Sequence, residues 1–387
     1  MKLKKKILYV STYALDSNDS ASVRNRAMVK GLMELGFDVY TLTRKNNGKD
    51  SLGCVRQYFL NTPIIYERAH NISKENNRTF WKIKKVAWNL YSSFSIYDSQ
   101  RALLKDMESI DIDNKSFDYI ISSSDSKVSH LIIDKMLLNK QISARKWTQY
   151  WGDPFYNDIN IRSWIPRVMI KKEEKRLLHL ADYVFYTNPI TLEEQKSLFE
   201  EEKQKMHFIP SPYIRERIGS KIQNEKKTIG YYGNYNSKDR DIRPLYNAAK
   251  ELKTFNFEII GDSDLKLEAD DNIMIRNRLP YNQIEQVENN ADLLICLGNK
   301  LGSSQLPGKF YNYAATDKPI LFIYEQGCEK LAEYAEKLHR YYVCLNQKSD
   351  IIRAIISICN DDSVKYYPYT DFYCVNVARE FIEIIAE

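Results

Sequence analysis

No stretch of this 387-residue sequence approaches 18 consecutive apolar residues, so a membrane-spanning helix is not expected. The basic start, MKLKKKILYV, leads into an apolar run too short for a signal peptide. Cysteine is scarce: Cys54, Cys296, Cys328, Cys344, Cys359 and Cys374 are scattered, with no Cys-x-x-Cys pair and no zinc spacing with histidine. Buried thiols in a reducing compartment follow, which points to a cytoplasmic protein, free or resting on the inner face of a membrane. There is no internal repeat, no low-complexity tract and no dense Arg/Lys block, so no nucleic-acid module is expected. The phosphate fingerprint G-x-G-x-x-G is missing. The acid pairs in DID (111–113) and DSD (262–264) read as surface turns, so no bound metal is expected either.

What is present is enough apolar material for real cores, 43% of residues, and a chain long enough for two ordinary domains. The net charge of +6 is uneven. Residues 1–210 hold 34 Lys+Arg against 25 Asp+Glu, whereas residues 211–387 hold 23 against 26. A basic first half suits an anionic membrane or a phosphorylated lipid, and equally a merely solvated surface. The stretch NNRTFWKIKKVAWNLYSSF (76–94) has the composition of an amphipathic membrane-surface helix, and of a helix packed on a core.

Short β-branched or aromatic runs alternate with helical stretches. They are KILYV (6–10), DVYTL (38–42), YIISS (119–123), WTQYW (147–151), YVFYT (183–187) and HFIP (207–210), then TIGYYG (228–233), FEIIG (257–261), NIMI (272–275), DLLICL (292–297), PILFIY (319–324) and YYVCL (341–345). This order predicts parallel sheets built from β-α-β units. The pattern restarts near residue 228, after a charged, proline-containing segment (209–227) that reads as a linker. The expected fold is α/β, with two Rossmann-like doubly wound domains facing across a cleft. They span 1–210 and 211–370, and a C-terminal helix (371–387) returns toward the first. In open α/β sheets ligands sit beyond the carboxyl ends of the strands.

Four places there could carry chemistry. In the first β-α-β unit, a polar loop precedes a helix starting near Ser22, whose Arg24 and Arg26 could reach into the cleft. In WTQYWGDPF (147–155), a strand runs into Asp153, which could bind or act on a sugar hydroxyl or simply open a turn before Pro154. After the strand ending at Gly233, a loop with Lys238, Arg240 and Arg243 leads into a helix and could neutralise a diphosphate. In QLPGKFYNYAATDKP (305–319), helix-start N–H groups near Gly308 to Phe310 sit beside the cation Lys309.

In this order the four places resemble the glycosyltransferases of the B fold (GT-B), and within them the family-4-like enzymes of bacterial capsule, O-antigen and exopolysaccharide synthesis. The most specific parts are RLPYNQIEQVENNADLLICLG (278–298), similar to the helix-strand unit by the base pocket, and LPGKFYNYAATDKPILF (306–322), similar to the family's Pro-Ser-Lys-x-x-Glu-Tyr-x-Ala-x-Gly-Lys-Pro segment. The resemblance implies a C-terminal domain that binds a nucleotide-diphosphate sugar. Lys309 and Gly308, with Gly233 and Arg240 or Lys238, would meet its diphosphate, and backbone at Arg278 and Leu279 its base. The acceptor would be a glycan or a polyprenyl-diphosphate-linked glycan bound by the N-terminal domain, with Arg24 and Arg26 as its candidate contacts. No cofactor is implied beyond the nucleotide-sugar co-substrate. Transfer would be retaining, and Asp153 is the candidate base if it inverts. The chain departs from the family where Asn312 replaces the ribose-gripping glutamate, Ser304 stands near the more distal acid, Ala21 and Ser22 replace loop glycines, and Asp317 replaces a helix-ending glycine. A degenerate partner subunit and a sugar-nucleotide epimerase are the alternatives.

Overall fold

The computed structural model describes residues 4–17, 19–45, 52–62, 95–124, 126–158, 164–219, 225–300 and 302–387. The aromatic-basic stretch 76–94 lies outside them. The chain divides into two compact units, residues 1–210 with 377–387, and residues 211–376.

In the first unit the strands are β1 (Lys6–Val10), β2 (Asp38–Arg44), β3 (Arg56–Leu60), β4 (Ser116–Ser123), β5 (Ser143–Trp151), β6 (Tyr183–Tyr186) and β7 (Met206–Phe208). They form one sheet in the order β3-β2-β1-β4-β5-β6-β7, every pairing parallel. The helices are α1 (Ser20–Glu34), α2 (Val128–Leu138), α3 (Trp164–Leu180) and α4 (Pro189–Leu198). Central strands read as unbroken apolar runs because helices on both faces remove them from water. β1 is buried from Ile7 to Val10. The Asp19 carboxylate caps α1 by accepting the Ser22 amide at 2.8 Å. Gly36, at φ +90°, ends it with amide bonds from Gly36 to Met33 O and from Phe37 to Leu32 O.

The second unit holds β8 (Thr228–Tyr232), β9 (Asn256–Ile260), β10 (Ile273–Arg276), β11 (Leu293–Leu297), β12 (Ile320–Tyr324) and β13 (Tyr342–Leu345), in the order β10-β9-β8-β11-β12-β13, again all parallel. Its helices are α5 (Arg243–Glu251), α6 (Tyr281–Asn290), α7 (Gly308–Tyr313), α8 (Glu329–Lys337) and α9 (Lys348–Asn360). The last helix, α10 (Cys374–Ala386), begins at the end of this unit and buries Val377, Ala378, Phe381 and Ile385 in the first. There Phe381 stacks on Phe185 at 4.3 Å and meets Tyr150 edge-on. The six cysteines are free thiols.

Each of the twelve expected strand runs overlaps an observed strand, ten of them to within two residues at both ends, while β4 and β5 begin three and four residues earlier than YIISS and WTQYW. β3 was not expected: RQYFL lies at the sheet edge, where one strand partner suffices and Arg56 stays in solvent. The expected linker also starts differently. Tyr213 donates its amide to Phe372 O at 2.9 Å, and Arg217 donates its amide to Ala315 O at 2.8 Å, so residues 213–217 are part of the second unit's structure.

Candidate functional site

The strand orders fix where ligands can sit. In each sheet the order reverses once, between β1 and β4 and between β8 and β11, and a crevice opens there at the carboxyl ends. In the second unit the loops leaving these ends are tightly joined. A Cβ added at Gly261, just after β9, would fall 1.9 Å from Gly233 O, so only glycine lets the backbones after β8 and β9 approach this closely. Lys300, after β11, donates its amide to Asp239 O at 2.8 Å and its ammonium to Ser237 O at 2.5 Å.

Arg240 lies between these loops. Its Nη2 and Nε donate to Asn299 Oδ1 at 2.7 and 3.2 Å, and Asn299 Nδ2 in turn donates to Gln305 O at 3.2 Å. Asn299 is buried and Arg240 half-buried, so the guanidinium is held in one orientation with donors left over. Lys238 is instead exposed, its ammonium 3.8 Å from Asp239. Arg243 is exposed and forked onto Asp241 at 2.8 and 2.6 Å. The sequence reading favours Arg240 over Lys238 only weakly, and the geometry separates them in the same sense. The buried Gln305 amide nitrogen has no hydrogen-bond partner among the described residues.

α7 is only six residues long, and the Phe310 amide is spent on Pro307 O at 2.9 Å. The expected row of free helix-start amides is therefore shorter, and the site's charge comes chiefly from side chains. Lys309 places its ammonium on Glu288 Oε1 and 5.4 Å from the Tyr313 ring centre. Arg217 donates to Glu288 Oε2 and, at 2.9 Å, to Asn312 O. Burial alone would push the Glu288 carboxyl up, but Lys309 and Arg217 outweigh it and hold the group below its usual range, hence ionised. Two cations share one carboxylate, which leaves one positive charge beside Gly308 and the half-buried Asn312 side chain. Arg278 is exposed, and its amide reaches Asp262 Oδ1 at 3.3 Å, with Leu279 half-buried beside it. Asp264 is likewise engaged, holding the Ser237 amide and hydroxyl at 2.9 and 2.7 Å.

In the first unit the crevice residues form a buried polar hub. Asn25 Oδ1 accepts from Tyr9 Oη at 2.9 Å and Ser123 Oγ at 2.7 Å, and Asn25 Nδ2 donates to Ser11 Oγ at 2.9 Å. Arg24 is buried rather than reaching outward: it donates to Ser124 O and lies 5.2 Å from the Tyr150 ring centre. Arg26 is half-buried and donates to Leu15 O at 3.1 Å. Asp153 is half-buried in the loop after β5, where Gly152 N donates to Ser124 Oγ at 3.2 Å and Thr187 Oγ1 donates to Gly152 O at 3.0 Å. Asp153 therefore lies next to the crevice on a loop tied to both neighbouring strand ends.

The sequence reading missed Asn299, Glu288, Arg217 and Asn25. Asn299 was within reach of the rule that ligands meet residues just after central strands. Glu288 carried no local signal, because a glutamate on an amphipathic helix usually faces water.

No protein-family model and no curated protein matches the chain. Among solved structures it is similar to HepE from Anabaena, determined with UDP and glucose, at a TM-score of 0.58 and 10% identity over 99% of both chains. It is similar to TarM at a TM-score of 0.56 and 11% identity, over 99% of this chain and 96% of that one. A UDP-N-acetylglucosamine 2-epimerase gives a TM-score of 0.52 and 12% identity over the same shares. At such identities the likeness carries the fold: two parallel-sheet α/β domains of the GT-B type.

Proposed function

We propose that this chain is a glycosyltransferase that moves a sugar from a nucleotide diphosphate to the hydroxyl of a glycan or lipid-linked acceptor, in bacterial surface-polysaccharide synthesis. The observation that carries this reading is the pair of held cations at the second crevice, Arg240 on Asn299 and Lys309 on Glu288, with net positive charge where a diphosphate would lie. The ligands of a structural neighbour, UDP and glucose in HepE, support the same donor class.

In the proposed reaction the bond between the anomeric carbon and the diphosphate oxygen breaks, and a bond to the acceptor oxygen forms. Arg240 and Lys309 stabilise the charge that develops on the leaving diphosphate, and Gly233 and Gly308 let backbone approach it. In a retaining reaction the acceptor proton passes to the leaving phosphate oxygen; in an inverting one it passes to Asp153. Asn312 would hydrogen-bond the ribose without charge assistance. No metal is required in this scheme, so chelation should leave turnover unchanged.

The acceptor side belongs to the basic first unit. On α3, Val168 and Met169 are about half exposed beside the exposed cations Arg167, Lys171 and Lys172, a combination that suits contact with an anionic membrane carrying the acceptor. Among the described residues no helix is long and apolar enough to cross a membrane.

Calorimetry with UDP, GDP, ADP, CDP and dTDP tests the reading. One clear binder is expected, and silence across the panel overturns it in favour of a degenerate partner that has lost its donor. The epimerase alternative needs a catalytic histidine or acid cluster. It gains nothing from His130, which is fully buried against Trp151 with Nδ1 2.8 Å from Ser122 Oγ.

A further inference from the structure

The loop that carries Asp153 rests on one buried carboxylate. Glu174, in the middle of α3, has no exposed surface. Its Oε1 accepts the Phe155 amide at 2.9 Å and its Oε2 accepts the Tyr156 amide at 2.7 Å. These residues are two and three places beyond Asp153, across Pro154, whose missing N–H can add no anchor of its own. No cation pairs with Glu174 within 4.0 Å among the described residues. Among the described residues, the two loop amides are its only hydrogen-bond partners.

We propose that Glu174 is the positioning residue of the loop 152–158: as a carboxylate it holds the loop by both amides, and on gaining a proton it loses one of those acceptors and releases it. A carboxylate offers acceptors on both oxygens, whereas a carboxylic acid turns one oxygen into a donor that opposes an N–H. The charged groups facing Glu174 are few. Lys127, at the start of α2, favours its ionisation; Asp158, on the loop itself, opposes it. Lys127 and Asp158 are paired with each other at 3.1 Å, which mutes both. The phenol of Tyr186, on β6, faces it as well and stays neutral. Asp98, beside Lys127 and Asp158, is held by Ser126 Oγ at 3.1 Å and the Gln100 amide at 2.9 Å. Burial dominates this balance and pushes the Glu174 carboxyl up to about 7, against which the two amides and Lys127 pull down. The clamp therefore opens and closes around neutral pH.

The ordering of the loop stands on this geometry whatever reaction the chain performs. Only its consequence, a loss of turnover below neutral pH through misplacement of Asp153, rests on the glycosyltransferase reading. The two fail separately, because loop order needs no substrate to measure. Amide hydrogen exchange of Phe155 and Tyr156 in the full chain, corrected for intrinsic base catalysis, is the test. Between pH 8 and pH 6 the ionised fraction falls about tenfold if titration centres near 7, and protection of these two amides should fall by a similar factor. In Glu174→Gln, which keeps the shape but always presents one donor, protection should be low and flat with pH. Equal protection at pH 6 and 8 in the native chain, or a pH profile that survives in the Gln variant, overturns the proposal. If that variant does not fold, the carboxyl carbon shift of Glu174 in the native chain decides: a midpoint near neutral supports the clamp, and full ionisation down to pH 5 overturns it.

Discussion

Lys309 rests its ammonium on the carboxylate of Glu288, whose side chain is 2% exposed, and does so from a helix only six residues long. Arg217 takes the other oxygen of the same carboxylate. A buried acid between two cations makes removal of the acid far more damaging than loss of one contact, because the cations would be left facing each other out of water. Glu288→Ala should cost about 3–5 kcal/mol of unfolding free energy, read from chemical denaturation, whereas Glu285→Ala on the same helix, whose partner Arg215 is largely exposed, should cost less than about 1 kcal/mol. Equal losses would remove the special standing of Glu288.

The same triad bears on the ligand. Lys309→Ala removes one of two cations, leaves Glu288 paired with Arg217, and so should fold. Affinity for the nucleoside diphosphate that binds best should fall about tenfold or more, while affinity for the bare nucleoside should hold, as titration calorimetry would show. An equal loss for both ligands would remove the diphosphate role.

The two loop cations should separate. Arg240→Ala is expected to weaken diphosphate binding by about 1.5–3 kcal/mol, and Lys238→Ala by little, since only Arg240 is held in place. Asn299→Ala should produce part of the Arg240 effect without touching charge. Measuring the three variants against one diphosphate checks the order; a dominant Lys238 would reverse it.

Asp153→Asn keeps the turn before Pro154 but cannot accept a proton. Transfer to acceptor should drop while donor affinity stays within about twofold, and unchanged turnover would reduce Asp153 to a turn residue.

His130 sets a pH limit of its own. Burial, reinforced by Lys127 and Arg24, holds its pKa well below the ordinary range, so the native ring is neutral. A depressed folded-state pKa gives stability that is present above the unfolded value, near 6.5, and lost as pH falls below it, by up to about 1.4 kcal/mol per pH unit. His130→Asn should flatten that part of the profile in thermal or denaturant unfolding; an unchanged slope would show that other groups govern it.

Much of this molecule could be read in its sequence because parallel strands announce themselves. Runs such as LLICL and ILFIY are buried on both faces, and each is followed by polar residues at the carboxyl end of its strand. The positions of Arg240 and Lys309, just past a central strand and at a helix start, were legible for that reason. What could not be read is where their charge goes. Nothing near Lys309 in sequence points to a glutamate 21 residues earlier, and nothing near Asp153 points to Glu174, because both contacts join elements that meet only after the sheets have formed. Arg24 misled in the same way: its position in the first helical turn suited an acceptor contact, but packing against Tyr150 draws it inward. The edge strand β3 escaped because its charged start obscures the apolar pattern.

The hydrogen bonds that join Tyr213 to Phe372 and Cys374, and Arg217 to Asn312 and Ala315, decide where this chain can be cut. A second domain begun at Thr228, where its first strand starts, would lack Arg217 and leave Glu288 with a single counter-charge. One begun at Ser211 and stopped at Asn376 keeps both. The first domain has the opposite need: severed at Pro210 it would expose the surfaces of Tyr150 and Phe185 that Phe381 covers, and only a version carrying residues 377–387, tied on or added back as a peptide, should stay folded and soluble.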